Sequence, residues 1–343
     1  MKAVTKLNIN QIAQKAKVSV ATVSRVINNA DCVKPATRER VQKVIDEYDY
    51  VPNSSAQNLS KSSSQDIGVI FPDLENPFFQ QILRGITRIA DEKGYNILIF
   101  NTDEQLSKEH RILQGAKGAN LAGIIIAPVI YGDGSTKEIL EAYEQMGIPV
   151  VLMDRPIEDG DFNEVLVENV EGSYQAVKCL IQEGHRKIGF LKGNGDVQPI
   201  QEREAGYRRA LTEYGITCQD RYVMCCDQKS DMAYEQMKTL MEQEEPPTAI
   251  FTSNNMMTLG CIRYLTEKGY RIGKDIALIG FDDIEVLQML DFKLSVITRS
   301  EENMGMEAME MILRRLAGEV TGHESRRVKT KLILRGSEKC SRV

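Results

Sequence analysis

The stretch Val18-Ser19-Val20-Ala21-Thr22-Val23-Ser24-Arg25-Val26-Ile27-Asn28 decides how the start of the chain folds. Ser19 carries a side-chain oxygen suited to capping a helix, and Val23, Val26 and Ile27 then recur at the spacing of one buried stripe. Upstream, Asn8 followed three residues later by Gln11 reads as a capping-box pair, and Ile12, Ala13 and Ala16 give an earlier helix its apolar side. Downstream, Pro35 suits a first turn, and Val41, Val44, Ile45 and Tyr48 predict a third helix. Two short helices joined by a tight turn and braced by a third form a helix-turn-helix. Helix lengths alone would equally allow an ordinary three-helix mini-domain.

The outward face of the second helix separates these readings. Ser19, Val20, Ala21, Thr22, Ser24, Arg25 and Asn28 are short or hydrogen-bonding. Arg25 can reach a guanine edge in the major groove, while Thr22, Ser24 and Asn28 suit phosphates, as do Arg38 and Lys43. Charge points the same way. The 343 residues carry a net charge of −6, yet residues 1–65 hold ten Lys/Arg against five acids, a balance of +5 that leaves −11 for the remainder. A basic head on an acidic body predicts polyanion binding by the head alone.

Beyond residue 66 the chain alternates. Apolar runs at 67–71, 97–100, 123–127, 150–153, 188–191, 249–252 and 276–281 read as buried strands. Amphipathic segments with a period near 3.6 fall at 78–93, 105–118, 136–146, 171–184, 201–214, 231–243, 256–268 and 301–317. Such alternation builds parallel sheets covered by helices, either as one barrel or as two smaller doubly wound sheets. Between head and body, residues 53–65 are small, polar and nearly uncharged, with Leu59 their single large apolar group, and read as a linker.

Several function classes lose support. No apolar run approaches the ~20 residues of a membrane span, and the polar start is unlike a secretion signal, so a cytoplasmic protein without membrane contact is expected. Seven scattered cysteines show no CxxC pair, and no cluster of ligands suggests a metal or other cofactor. The three histidines suggest no catalytic constellation: His110 falls in a polar helix, His323 in a terminal loop, and His185 sits beside Gly184 at a helix end, where a capping role suits it. Gly193-Asn194-Gly195 lacks the third glycine of a nucleotide loop. An enzyme would need such a constellation, and a secreted solute receptor would lack the basic head.

The head motif, together with Thr37-Arg38-Glu39-Arg40-Val41, Tyr50-Val51-Pro52-Asn53 and Ala56-Gln57-Asn58-Leu59, resembles the lactose/galactose repressor (LacI/GalR) family of bacterial transcription regulators. The likeness continues through Ile67-Gly68-Val69-Ile70-Phe71-Pro72-Asp73, Asn76-Pro77-Phe78-Phe79, Gly184-His185-Arg186-Lys187-Ile188-Gly189, Arg203-Glu204-Ala205-Gly206-Tyr207 and Ile279-Gly280-Phe281-Asp282-Asp283. It implies an all-α helix-turn-helix head over 1–50, a hinge over 51–65 with a helix near 53–60, and a periplasmic-binding-protein-like body over 66–343. That body would be two doubly wound subdomains, 66–161 with 293–322 and 163–291 with 323–343.

The resemblance makes Val20, Ala21 and Arg25 base-reading positions and adds Tyr50, Asn53, Ala56 and Leu59 to the DNA contacts. Leu59 would be a wedge in the minor groove. Lys17 stands in the turn where glycine is common, and Lys34 where a serine cap is common. A homodimer on a near-palindromic double-stranded operator is implied, with a small sugar-like effector between the subdomains. Phe78 and Phe79 would form its stacking wall, at least one of them also serving the core. Asp154, Arg203, Asn254 and Asp282 would supply polar contacts. Asn255 replaces a usual aspartate and Arg299 a common glutamine. With Arg155 and Arg203, Arg299 makes the cleft more cationic than a neutral sugar needs, so an effector bearing phosphate or carboxylate is expected.

Overall fold

The computed structural model describes residues 7–27, 32–48, 50, 64–227 and 229–340. They divide into a small unit ending at Ser64 and a large one from Gln65 onward. In the small unit, α1 (Ile9–Ala16), α2 (Val20–Ile27) and α3 (Pro35–Glu47) enclose Ile12, Ala13, Ala16, Val23, Val26 and Val41. The capping box forms as the sequence predicts. Asn8 Oδ1 accepts the Gln11 amide at 3.0 Å, and Gln11 Oε1 accepts the Asn8 amide at 2.8 Å. Lys17 ends α1 in the left-handed region at φ 52°, which explains why glycine would suit that place. Lys34 provides no side-chain cap to α3.

The large unit holds two six-stranded sheets among the described residues, ordered β11-β5-β4-β3-β1-β2 and β12-β10-β9-β8-β6-β7. The first contains β1 (Asp66–Phe71), β2 (Asn96–Asn101), β3 (Gly123–Ile126), β4 (Val150–Met153), β5 (Asn163–Val167) and β11 (Ser325–Val328). The second contains β6 (Ile188–Lys192), β7 (Val223–Cys225), β8 (Ala249–Thr252), β9 (Ala277–Phe281), β10 (Ser295–Thr298) and β12 (Lys331–Ile333). Pairing is parallel except between β10 and β12. Two sheets, not a barrel, are therefore what the alternation builds. The central strands β3, β4, β8 and β9 are buried at every residue, the signature of a sheet covered on both faces.

The expected allocation of segments to subdomains needs three corrections. β5 lies in the first sheet, because Val151, Leu152 and Met153 pair in parallel with Asn163, Glu164 and Val165. β10 lies in the second sheet beside β9, and β11 returns to the first beside β5. The chain thus crosses between the halves after β5, after β10 and after β11, and not near 162, 292 and 323.

The helices covering the sheets are α4 (Pro77–Lys93), α5 (Leu106–Ala116), α6 (Gly134–Gln145), α7 (Asn169–Gln182), α8 (Gln198–Glu213), α9 (Ser230–Met241), α10 (Asn255–Glu267), the short α11 (Glu285–Met289) and α12 (Glu301–Leu316). α4 and α12 cross where Gly85 and Gly305 meet. A Cβ on Gly85 would lie 1.9 Å from the Glu302 carbonyl oxygen, and one on Gly305 would lie 2.0 Å from that of Ile82. Only glycine lets these backbones touch, which locks the last long helix onto the first sheet. No helix among the described residues is long and apolar enough to cross a membrane.

Candidate functional site

In the head, Ser19 Oγ accepts the Thr22 amide at 3.2 Å, so α2 starts where the sequence places it. Val23 and Val26 point inward, leaving Ser19, Val20, Ala21 and Arg25 exposed and Thr22 and Ser24 half-buried. The result is a short apolar and hydrogen-bonding face with one long cation. Tyr50 is half-buried against the head core, and its amide donates to the Ile45 carbonyl at 3.0 Å. It serves packing, and burial raises its phenol above the ordinary value. Asn28, Asn53, Ala56, Leu59 and the hinge helix near 53–60 lie outside the described residues.

In the body, Phe78, Phe79, Asp154, Arg203, Asn254, Asp282 and Arg299 line one cleft between the two halves. Each sits at the carboxyl end of a strand or on the helix that follows one. Doubly wound sheets place ligands there because the helix starts and strand ends diverge. Asp154 follows β4 and Asp282 follows β9, both at positive φ, 62° and 72°. Their amides donate to the adjacent strands, at Val165 O and Ile297 O, with distances of 2.9 and 2.8 Å. The left-handed turn leaves each carboxylate in the cleft while the backbone stays tied to the sheet.

Both phenylalanines are buried and belong to the core as well as to the cleft wall. Their rings meet edge-on with centroids 4.9 Å apart. Asn76 starts their helix by accepting the Phe78 amide at 3.0 Å. Asn254 starts α10 likewise, accepting the Met257 amide at 2.9 Å. Arg203 donates from Nε to Asn169 Oδ1 at 2.9 Å and from Nη1 to the Ser253 carbonyl. Its guanidinium lies 3.8 Å from the Phe281 ring centroid. Burial pulls its pKa down to about 10 although Asp282 opposes this.

Arg299 pairs with Asp282 through Nη1, and both side chains are almost fully buried. Its guanidinium lies 4.2 Å from the Phe78 centroid and 5.4 Å from that of Phe281. Burial works against its charge, but Asp282 and then Glu301 hold its pKa above the usual value. Arg299 Nε and Nη2 and Asp154 Oδ1 are buried with no hydrogen-bond partner. Buried polar groups ordinarily have hydrogen-bond partners, so these atoms are chemically able to donate to or accept from a group that enters the cleft.

The expected cationic excess is cancelled. Glu104 grips Arg155 at 2.9 and 2.7 Å in a two-point pair, and Asp282 covers one nitrogen of Arg299. Three arginines face four carboxylates along the lining, counting Asp73. The charge sum therefore gives no reason to expect a dianionic phosphate. Glu104 itself escaped the sequence reading. Asp103-Glu104 in the turn just past β2 was its only signal, and both residues adopt positive φ.

The halves also touch across the cleft. Asn255 Nδ2 donates to Asn76 Oδ1 at 2.8 Å, and the Tyr131 amide donates to the Asp196 carbonyl at 3.0 Å.

The chain matches two family profiles. Residues 8–53 fit the bacterial regulatory proteins of the lacI family, and residues 177–338 fit a periplasmic binding protein-like domain. Catabolite control protein A of Priestia megaterium is 33% identical over 308 residues, covering 89% of this chain and 91% of that protein. The HTH-type transcriptional repressor CytR of Escherichia coli K12 is 31% identical over 334 residues, 97% and 96% of the two chains. Among solved structures, the lac repressor dimer bound to operator and the anti-inducer ONPF is 25% identical with a TM-score of 0.82, covering 98% of this chain and all of that one. The transcriptional regulator CelR–cellobiose complex is 27% identical with a TM-score of 0.73, over 97% and 100%.

Proposed function

Because this chain belongs to the lacI family of bacterial regulatory proteins, and its relative CytR is a transcriptional repressor, we propose that it binds a near-palindromic operator as a dimer under the control of a small hydroxylated metabolite held in the cleft. The single observation that carries the ligand half of this reading is the convergence of seven polar and aromatic side chains on one cleft between two sheets. Fixed acceptors at Asp154 and Asp282 and fixed donors at Arg203 and Arg299 match vicinal hydroxyls, while Phe78 offers a face to C–H groups.

The DNA half rests on the exposed face of α2. Val20 and Ala21 suit thymine methyls, and Arg25 suits a guanine edge. One such head offers few contacts, so two heads about one helical turn apart are needed for a specific site. Ligand binding that alters the angle between the halves would alter the separation of the heads in a dimer, coupling cleft and operator through one two-state element. Leu59 is assigned the minor-groove wedge at the operator centre.

The test is selection of duplexes from a random pool by the full chain, followed by fluorescence anisotropy on the enriched sequence. A two-fold symmetric consensus is expected. Leu59→Ala should abolish its preference while salt-sensitive binding to unrelated DNA survives. Enrichment of no sequence, or an asymmetric one bound by a single chain, overturns the reading.

A further inference from the structure

The unsatisfied atoms of Arg299 are not any two nitrogens. Nη1 is spent on Asp282, so Nε and Nη2 remain, and these lie on one edge of the planar guanidinium with their N–H bonds side by side. That edge is the fork that accepts two coplanar oxygens at once. It is buried, with Phe78 beneath the guanidinium and Asp282 fixing the other end. A buried donor pair left unmatched is costly, and neutral hydroxyl oxygens repay a charged fork less well than a carboxylate does.

The surroundings narrow the anion. Arg203 and Arg299 both lie against the Phe281 ring, at 3.8 and 5.4 Å, with Asp282 beside them. These two guanidiniums have the single carboxylate of Asp282 beside them, so this corner of an otherwise acidic lining has room for one further negative charge but not two. A dianion would meet Asp154 and Asp282 at short range, so a phosphate fits poorly. Asp154 Oδ1, the unmatched acceptor, calls for a donor such as a hydroxyl.

Resting on the reading of this cleft as the effector site, we propose that the effector is a polyhydroxy carboxylic acid, of the aldonic or uronic class. Its carboxylate takes the Nε–Nη2 edge of Arg299 and a hydroxyl donates to Asp154. The acid reaches this edge when the two halves part, and the halves close over it again.

The test uses the full chain. Formate, the smallest carboxylate, is titrated while the 15Nε resonance of Arg299 is followed, that signal being assigned by its loss in Arg299→Lys. Calorimetry then compares D-galacturonate, D-glucuronate and D-gluconate with D-galactose, D-glucose and glucose 6-phosphate. A saturable formate shift is expected, with at least one acid binding about tenfold or more tightly than its neutral counterpart. Arg299→Lys keeps the charge beside Asp282 but not the fork, and should lose about tenfold for that acid.

The proposal is overturned by the absence of a saturable formate shift. It is equally overturned if a neutral sugar binds as tightly as its acid, or if the phosphate alone binds. A neutral sugar that binds and changes operator affinity would sink this proposal and leave the repressor reading intact. A bound acid that leaves operator affinity unchanged would show that the acid is a ligand of Arg299 but not the effector, which overturns this proposal and leaves operator binding by the head intact.

Discussion

Asn76 Oδ1 accepts two hydrogen bonds, one from the Phe78 amide at 3.0 Å and one from Asn255 Nδ2 at 2.8 Å. The first starts α4 in one half of the body, and the second reaches the first turn of α10 in the other. One oxygen therefore joins a helix cap to the contact that closes the cleft. Asn255 Oδ1 remains buried without a partner, so the contact is made on one side only.

This arrangement separates two substitutions. Asn76→Ala removes cap and cross-cleft bond together and should cost about 2 kcal/mol, the sum of a typical cap and a typical hydrogen bond. Asn255→Ala removes only the second and should cost about 1 kcal/mol. Urea unfolding of both variants measures the difference. Equal losses would mean that the cap does not depend on Asn76.

How much of this was legible before the structure depends on what each residue answers to. The strands β1, β3, β4, β6, β8 and β9 announce themselves because a strand buried on both faces must be apolar throughout. The edge strand β11, Ser-Arg-Arg-Val, is mostly exposed and has no such pattern, and β5 is interrupted by Glu164. Their membership is set by pairing partners, which is why the expected crossing points were misplaced. In the cleft, the strand-end residues Asp154 and Asp282 could be anticipated from motifs. The Glu104–Arg155 and Asn76–Asn255 contacts join residues 51 and 179 positions apart, and no local pattern specifies them.

The crossing of α4 and α12 should tolerate no side chain. Gly305→Ala places a carbon against the backbone carbonyl of Ile82, and backbone cannot rotate away as a side chain would. A loss of about 3 kcal/mol is expected, with Gly85→Ala similar. The two share one crossing, so the double variant should lose less than the sum. Chemical denaturation checks both points, and a loss below the range of an ordinary surface substitution would show that the helices slide apart freely.

His185 is fully buried, with Nδ1 2.8 Å from Thr248 Oγ1, and burial lowers its pKa. Above the ordinary histidine value of about 6.5 the ring is neutral in both states and pH has no effect through it. Below that value the unfolded chain takes up the proton first, so stability falls as pH drops through the window down to the folded pKa. His185→Gln should flatten that part of the stability profile relative to the parent chain. Parallel profiles for parent and variant would show that His185 does not set the acid limb.

On DNA, Arg25→Ala should weaken the selected operator by about 1–3 kcal/mol and relax the preference at one base position in each half-site. The salt dependence should hardly change, because a base contact releases few counterions. Anisotropy titrations at several salt concentrations read both quantities. A uniform loss across all sequences, with a shallower salt slope, would reassign Arg25 to a phosphate.

Among the described residues of the head, Lys17 is the one non-glycine residue in the left-handed region. At φ 52° and ψ 46° it closes α1 through amide contacts to the Ala13 and Gln14 carbonyls. A side chain in this region costs about 1–2 kcal/mol. Glycine removes that cost but gives the unfolded chain more freedom, which takes back part of the gain. Lys17→Gly should therefore stabilise the head by about 0.5–1 kcal/mol net. The gain should appear as slower hydrogen exchange at the Ile12 and Ala13 amides, with no change at amides of the β3 and β4 core. Exchange that is unchanged or faster in α1 would mean that Lys17 returns its conformational cost through the charge it brings to this turn.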